Sequence, residues 1–312
     1  MRLTSVLLLA SSASAISFPD LTPVTNLFAR KDGGSGKCPA VWSSISKELT
    51  ANFVTGGQCN PLARAAIREI FHDCGAWNTA QGAKGGCDGS LILAGELARG
   101  ENNGLQNISA FLNTTAIKWG VGVADMIVFA GNHAIVSCPG GPTVKTWIGR
   151  KDSKTPAPNG LLPDVNAPAA TLSKLFQDKG FDDRDLAALL GAHSTSNQFN
   201  FDTTPGKQGA PQDSTPGVWD VKYYGETLSP PQGVVVLPSD SKLAAYNGVG
   251  KEFKGFVNNQ GKWNGKFADA MGKMALFGSA GTSGMVDCTD ALPKSTNVKR
   301  ELRAMPMFKP RN

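Results

Sequence analysis

Three features that would divide the chain are missing from its 312 residues: a low-complexity linker, an internal repeat, and a second apolar span after the one at its start. Their absence excludes an array of repeats and leaves one compact unit, in one or two lobes, as the expectation. Strand patterns are scarce as well, because Pro- and Gly-rich connections occupy 156–168, 205–217 and 278–293, so any strands are expected to be short. No clustered basic stretch is present. The net charge of +6 and pI near 9.0 arise from scattered lysines and arginines, which argues against a nucleic-acid partner and for attraction to anionic cell-wall polymers.

What is present begins with an export signal. Arg2, the apolar run Val6–Ala10 and the closing Ala13-Ser14-Ala15 form the pattern of a secretory signal peptide over 1–15, and the run is too short to span a bilayer. Residues 16–31 end in Arg30-Lys31 and read either as a pro-segment cut at a dibasic site or as an ordinary flexible N-terminus. The remaining segment, 32–312, holds about 280 residues, enough for a substantial core. Six cysteines in an exported chain imply a disulfide framework, with fifteen possible pairings. Two glycosylation sequons, at Asn107 and Asn113, fit export without bearing on chemistry.

The periodicity predicts helices over about 40–52, 61–73, 106–118, 123–136, 168–178, 183–193, 240–247, 249–259 and 263–277. In the second, Asn60 is a good cap and Pro61 suits the first helical position. Arg68 and His72, four residues apart, share one helix face, with Phe71 close beside them. That pairing suits a peroxide. The imidazole can take a proton from one oxygen and return it to the other, while the guanidinium steadies the negative charge that develops as the O–O bond breaks. In the helix after Asp182, Leu186, Leu189, Leu190 and His193 make an apolar stripe that ends in a histidine.

The motifs Arg68-Glu-Ile-Phe-His-Asp73, Gly85-Gly-Cys-Asp-Gly-Ser90 and Gly191-Ala-His-Ser194, in this order, resemble the secreted haem peroxidases of fungi and plants, most closely the fungal ligninase-type (class II) branch. The resemblance runs from about Cys38 to Pro293. It implies a mainly α, two-lobed, monomeric haem peroxidase fold with few short strands, in which haem b lies between a distal and a proximal helix. His72 and Arg68 would be the distal catalytic pair, with Asn102 accepting a hydrogen bond from His72 and a glutamate of the 96–102 segment supporting Asn102. Phe71 would lie beside the haem. His193 would ligate the iron, its other N–H accepted by Asp240. Two calcium ions are implied as well: a distal one on Asp73, the Gly86 carbonyl, Asp88 and Ser90, and a proximal one on Ser194, Asp213, Thr215, the Val218 carbonyl and Asp220. Cys38–Cys288 and Cys59–Cys138 fall where the family has bridges, which leaves Cys74 and Cys87 as a local pair.

The implied substrates are hydrogen peroxide and small aromatic reducing donors. Manganese-oxidising members carry acidic residues where this chain has Pro61, Ala65 and Phe199, and lignin-oxidising members carry a surface tryptophan where it has Ala188. Gln212 stands where a proximal phenylalanine is expected. Two other readings compete: a haem peroxygenase ligating iron through Cys138, which precedes Pro139, and a non-catalytic wall-binding protein stabilised by calcium and disulfides.

Overall fold

A computed structural model describes residues 36–296; the expected signal peptide (1–15) and the segment 16–31 lie outside the described residues. In chain order its helices are α1 (Val41–Phe53), α2 (Pro61–Cys74), α3 (Ser90–Leu93), α4 (Gln106–Trp119), α5 (Val123–Ser137), α6 (Ala169–Asp178), α7 (Asp183–Leu190), α8 (Lys222–Leu228), α9 (Pro238–Ala244), α10 (Asn247–Lys254) and α11 (Gln260–Met274). Strands are confined to two antiparallel pairs, β1 (Val54–Thr55) with β2 (Gln58–Cys59) and β3 (Trp147–Ile148) with β4 (Val286–Asp287). The mainly α architecture with few short strands is therefore as the sequence predicts. The short helices α3 and α8 were not expected, and the helix predicted over 183–193 ends its α portion at Leu190 and continues as a 3-10 turn, Gly191–Thr195.

Capping fixes where the two site-bearing helices begin. Asn60 is extended, and its side-chain oxygen accepts from the backbone N–H groups of Leu62 and Ala63, with Pro61 in the first turn. Asp182 opens α7 with a capping box: it accepts from the Asp185 N–H at 2.7 Å, and the Asp185 carboxylate accepts from the Asp182 N–H at 3.2 Å.

The largely apolar sequence of α5, broken only by Asp125, Asn132 and His133 before Ser137, makes it a central rod, buried from Val123 to Val136. α2 lies along it, flanked by α1 and α4, while α7 packs against α9, α10 and α11. The stacked rings of Phe71 (α2) and Phe176 (α6), 6.3 Å apart and 7° from parallel, join the two groups. Three disulfides, Cys38–Cys288, Cys59–Cys138 and Cys74–Cys87, form the expected pairing and leave no free cysteine among the described residues. Cys138 is thereby removed as an iron ligand. No single helix among the described residues is long and apolar enough to cross a membrane.

His133, on α5, is fully buried, with Nε2 2.9 Å from the Ser46 carbonyl and 3.1 Å from Thr50 Oγ1. Burial pushes its pKa down to about 4 against the opposing pull of the Ser46 carbonyl. An unfolded histidine titrates near 6.5, so below that pH the unfolded chain binds a proton that the folded chain refuses. Stability therefore falls as pH drops from about 6.5 to 4, by roughly 3 kcal/mol from this residue. Urea unfolding at pH 7 and pH 4 measures the effect, and His133→Gln is expected to remove this residue's share, roughly 3 kcal/mol, of the acid-side loss; an unchanged loss in the variant would refute the assignment.

Candidate active site

The spacing of Arg68 and His72 on α2 brings both to one gap, as their shared helix face requires. His72 Nδ1 lies 2.7 Å from Asn102 Oδ1, and Asn102 Nδ2 donates to the Glu96 backbone carbonyl at 2.8 Å. The second bond orients the amide, so Asn102 Oδ1 must be the acceptor and His72 Nδ1 carries the proton. Nε2 is then a lone pair. Arg68 Nε donates to it at 3.1 Å, and the two remaining guanidinium nitrogens donate to the carbonyls of Asn103 and Glu101. Burial, reinforced by the Arg68 charge and opposed by the Asn102 bond, lowers the His72 pKa to about 3, which keeps the ring neutral and able to act as a base.

The supporting glutamate is Glu96, and it acts through its backbone carbonyl. The carboxylate is committed elsewhere: Oε1 accepts from the Ala157 N–H at 2.8 Å and Oε2 pairs with Arg99 at 3.0 Å. Phe71 meets the His72 ring edge-on at 5.7 Å and is half-buried.

His193 lies in the 3-10 turn after α7. Its Nδ1 donates to Asp240 Oδ2 at 2.8 Å, which leaves Nε2 as the free nitrogen of a ring that is 32 % exposed. Burial alone would lower its pKa, but the charge and hydrogen bond of Asp240 outweigh it and raise the value; the Arg68 charge is also felt at this ring. The Arg68 charge acts on both imidazoles. An imidazole with a free nitrogen backed by a carboxylate, together with a neutral base beside a fixed cation, is the set of groups a haem would need from the protein.

Two loops carry the predicted calcium ligands, each touching one of these histidines in sequence. Asp73 is buried and accepts from the N–H groups of Gly89 (3.1 Å) and Leu91 (3.3 Å), so the Gly85–Ser90 loop wraps around it. Asp88 accepts from the Ser90 N–H, and its own N–H donates to the Gly86 carbonyl. Gly86 has φ of 75°, and a Cβ there would meet the Phe277 carbonyl oxygen at 2.4 Å, so only glycine suits this turn. Burial and the neighbouring Asp88 charge drive Asp73 up to about 8. In the second loop, Thr215 donates its N–H to Asp213 and its hydroxyl to Asp220 at 2.9 Å, and the Val218 N–H bonds to the Thr215 carbonyl. Asp213 Oδ2 and Ser194 Oγ are buried there without a hydrogen-bond partner, and burial takes Asp213 to about 8. Among the described residues no group of three or more His, Cys, Asp or Glu side chains converges for a metal. Each loop instead offers two carboxylates with hydroxyl and carbonyl oxygens, the donor set of a hard cation such as calcium.

The structure adds contacts that motif reading missed. Gln212 is buried and donates to Asp240 Oδ2 at 3.4 Å, giving the carboxylate a second N–H donor besides His193. Tyr223 meets the His193 ring edge-on at 5.9 Å. Neither contact is encoded by local spacing; the aromatic density of Trp219, Tyr223 and Tyr224 was the available hint. Ala188 is buried rather than superficial, beneath Tyr224 and Trp263.

Comparison with known proteins agrees with this geometry. The family profile described as Peroxidase matches residues 45–260. The chain is 33% identical over 293 residues to Ligninase LG2 of Phanerodontia chrysosporium, covering 86% of this chain and 78% of that protein. It is 34% identical over 271 residues to the Low-redox potential peroxidase of Taiwanofungus camphoratus (81% and 77%) and 29% identical over 299 residues to the Peroxidase of Arthromyces ramosus (85% and 81%). With the family match and the ligninase similarity both running through His72 and His193, the chain belongs to the peroxidase family, in its fungal ligninase-type branch.

Proposed function

We propose that the protein, working outside the cell as a monomer of residues 32–312, oxidises small phenols and similar one-electron donors, with His72 and Arg68 cleaving the peroxide. As a haem peroxidase it is an oxidoreductase that reduces hydrogen peroxide with electrons from reducing substrates. The haem, when bound, supplies the redox chemistry that breaks the O–O bond. His193 Nε2 would hold its iron, and the Asp240 carboxylate makes that nitrogen more electron-rich. His72 Nε2 accepts a proton from the nearer peroxide oxygen and delivers it to the farther one, so that water leaves. For this to happen Arg68 Nε must give up its bond to Nε2, which turns the guanidinium toward the departing oxygen. The observation that carries the reading is the His72–Asn102–Glu96 chain of hydrogen bonds, which fixes the tautomer a base needs. Two calcium ions would occupy the Asp73 and Asp213 loops, and haem b is the form of haem inferred. The positive net charge favours contact with anionic cell-wall polymers.

Substrate range follows from what the rim lacks. Manganese(II) needs several oxygen ligands, and Pro61, Ala65 and the 58 % exposed Phe199 provide none from their side chains. Bulky donors need an oxidisable group at the surface, and Ala188 is neither oxidisable nor exposed. A relative bearing the name Low-redox potential peroxidase fits this range. Steady-state assays are expected to give turnover of small phenols and dyes, poor turnover of veratryl alcohol and no saturable oxidation of manganese; saturable manganese turnover would refute the ligand argument. The intact His72, Arg68 and His193 set weighs against a wall-binding protein without catalysis, and a visible spectrum before and after one equivalent of peroxide separates the two.

A further inference from the structure

Four oxidisable rings lie beneath the turn that carries His193, and no step above uses them. The Tyr223 ring meets His193 edge-on at 5.9 Å, Tyr223 and Tyr224 are 5.3 Å apart, Tyr224 meets Trp263 at 5.7 Å, and Trp263 stacks on Trp219 at 4.9 Å with the planes 5° apart. All four are fully buried. Trp263 also touches the His193 turn directly. Its Nε1–H donates to the Ala188 carbonyl at 3.0 Å, and a Cβ on Gly191 would lie 2.4 Å from that nitrogen, so the glycine is what admits the indole. Electron transfer falls steeply with separation, and rings in contact exchange electrons fastest. A continuous contact path thus joins the proximal histidine to a stacked indole pair.

We propose that the Trp219–Trp263 pair is a redox site of this peroxidase, giving up one of the two electrons that hydrogen peroxide takes before a reducing substrate arrives. One peroxide, two protons and two electrons yield two waters. One electron comes from the haem and one from the indole pair, which is left as a one-electron-oxidised cation until a donor molecule refills it.

Hydrogen bonding selects the indoles over the phenols. A tyrosine becomes a stable neutral radical only by losing its phenolic proton. The Tyr224 hydroxyl donates to the carbonyls of Ala187 and Ala188, which are not bases. The Tyr223 hydroxyl is buried without a hydrogen-bond partner to take its proton. The two indoles need lose no proton: their N–H groups stay bonded to Ala188 O and Asn264 Oδ1, and parallel overlap spreads the positive charge over both rings. Because neither ring reaches solvent, the pair stores the oxidising equivalent instead of passing it to bulky donors.

The inference rests on the haem peroxidase reaction, and the experiment separates the two. Haem-loaded protein is mixed with one equivalent of hydrogen peroxide without donor and frozen, and electron paramagnetic resonance spectra are taken from unlabelled protein and from protein made with ring-deuterated tryptophan or ring-deuterated tyrosine. An organic radical whose lines narrow only with deuterated tryptophan is expected, and its loss from the Trp219→Phe/Trp263→Phe double variant. The labelled protein carries no substitution, so this result does not depend on the variant folding. Narrowing with deuterated tyrosine alone, a signal that persists in the folded double variant, or a peroxide-induced change in the haem band with no organic radical overturns the redox site and leaves the peroxidase reaction standing. No change in the haem band on adding peroxide overturns both.

Discussion

His72→Leu is expected to slow the reaction with hydrogen peroxide by roughly 10²–10⁴-fold, the usual contribution of a general acid–base group, while haem remains bound. The expectation rests on separable contacts. Leucine removes both ring nitrogens but keeps an apolar group against Phe71, and Arg68 retains the carbonyls of Asn103 and Glu101 when its Nε loses a partner. The His193–Asp240 pair on the other face is untouched, so cofactor binding and the spectrum of the resting protein serve as internal controls. Arg68 cannot substitute, because a guanidinium gives up no proton near neutral pH and accepts none. Stopped-flow measurement of the peroxide reaction decides the point, and an unchanged rate would remove His72 from the mechanism.

Chelation of calcium is expected to abolish most of the activity, lower the unfolding temperature and move the haem spectrum toward a six-coordinate form. Each candidate site includes a ligand next in sequence to a site histidine, Asp73 beside His72 on α2 and Ser194 beside His193 in the 3-10 turn. Without a cation, Asp213 Oδ2 and Ser194 Oγ are buried with nothing to bond, and Asp73 faces Asp88 with only backbone N–H groups to balance the charge. Removing the ion releases that unfavourable burial by loosening the loop, and the adjoining histidine moves with it. An ion present at a thousandfold excess over its dissociation constant adds about 4 kcal/mol of stability per site, so the thermal shift is expected to be large. Metal analysis should find two calcium ions per chain, falling to one in Asp213→Asn. Active protein free of calcium would refute both sites.

Much of the site's frame could be read from local chemistry, and its cross-links could not. The starts of α2 and α7 are written in Asn60-Pro61 and in the Asp182/Asp185 pair, because capping is decided within four residues. The shared face of Arg68 and His72 follows from helix period alone. By contrast, α3 and α8 are too short to show a period, and the close approach of Trp263 and Tyr224 to Gly191 at the end of α7 comes from elsewhere in the chain. The Gln212–Asp240 bond joins residues 28 apart on separate segments, beyond any local pattern. The Asn102 contact was accessible only through motif resemblance, which gave a supporting glutamate but not which of its atoms, since spacing does not distinguish a backbone carbonyl from a carboxylate.

The spacing of the three disulfides bears on how the protein is made. Cys74 and Cys87 are 13 residues apart, Cys59 and Cys138 are 79 apart, and Cys38 and Cys288 are 250 apart. At about 5–20 residues per second of synthesis, Cys38 is extruded roughly 12–50 s before its partner exists. During that interval it is the thiol free to capture a wrong cysteine, while the two inner pairs can already close. Correct bridging therefore depends on the α2 region and α5 consuming their own cysteines first, and a cell that oxidises thiols faster than these helices dock would produce scrambled chains even from an unaltered sequence.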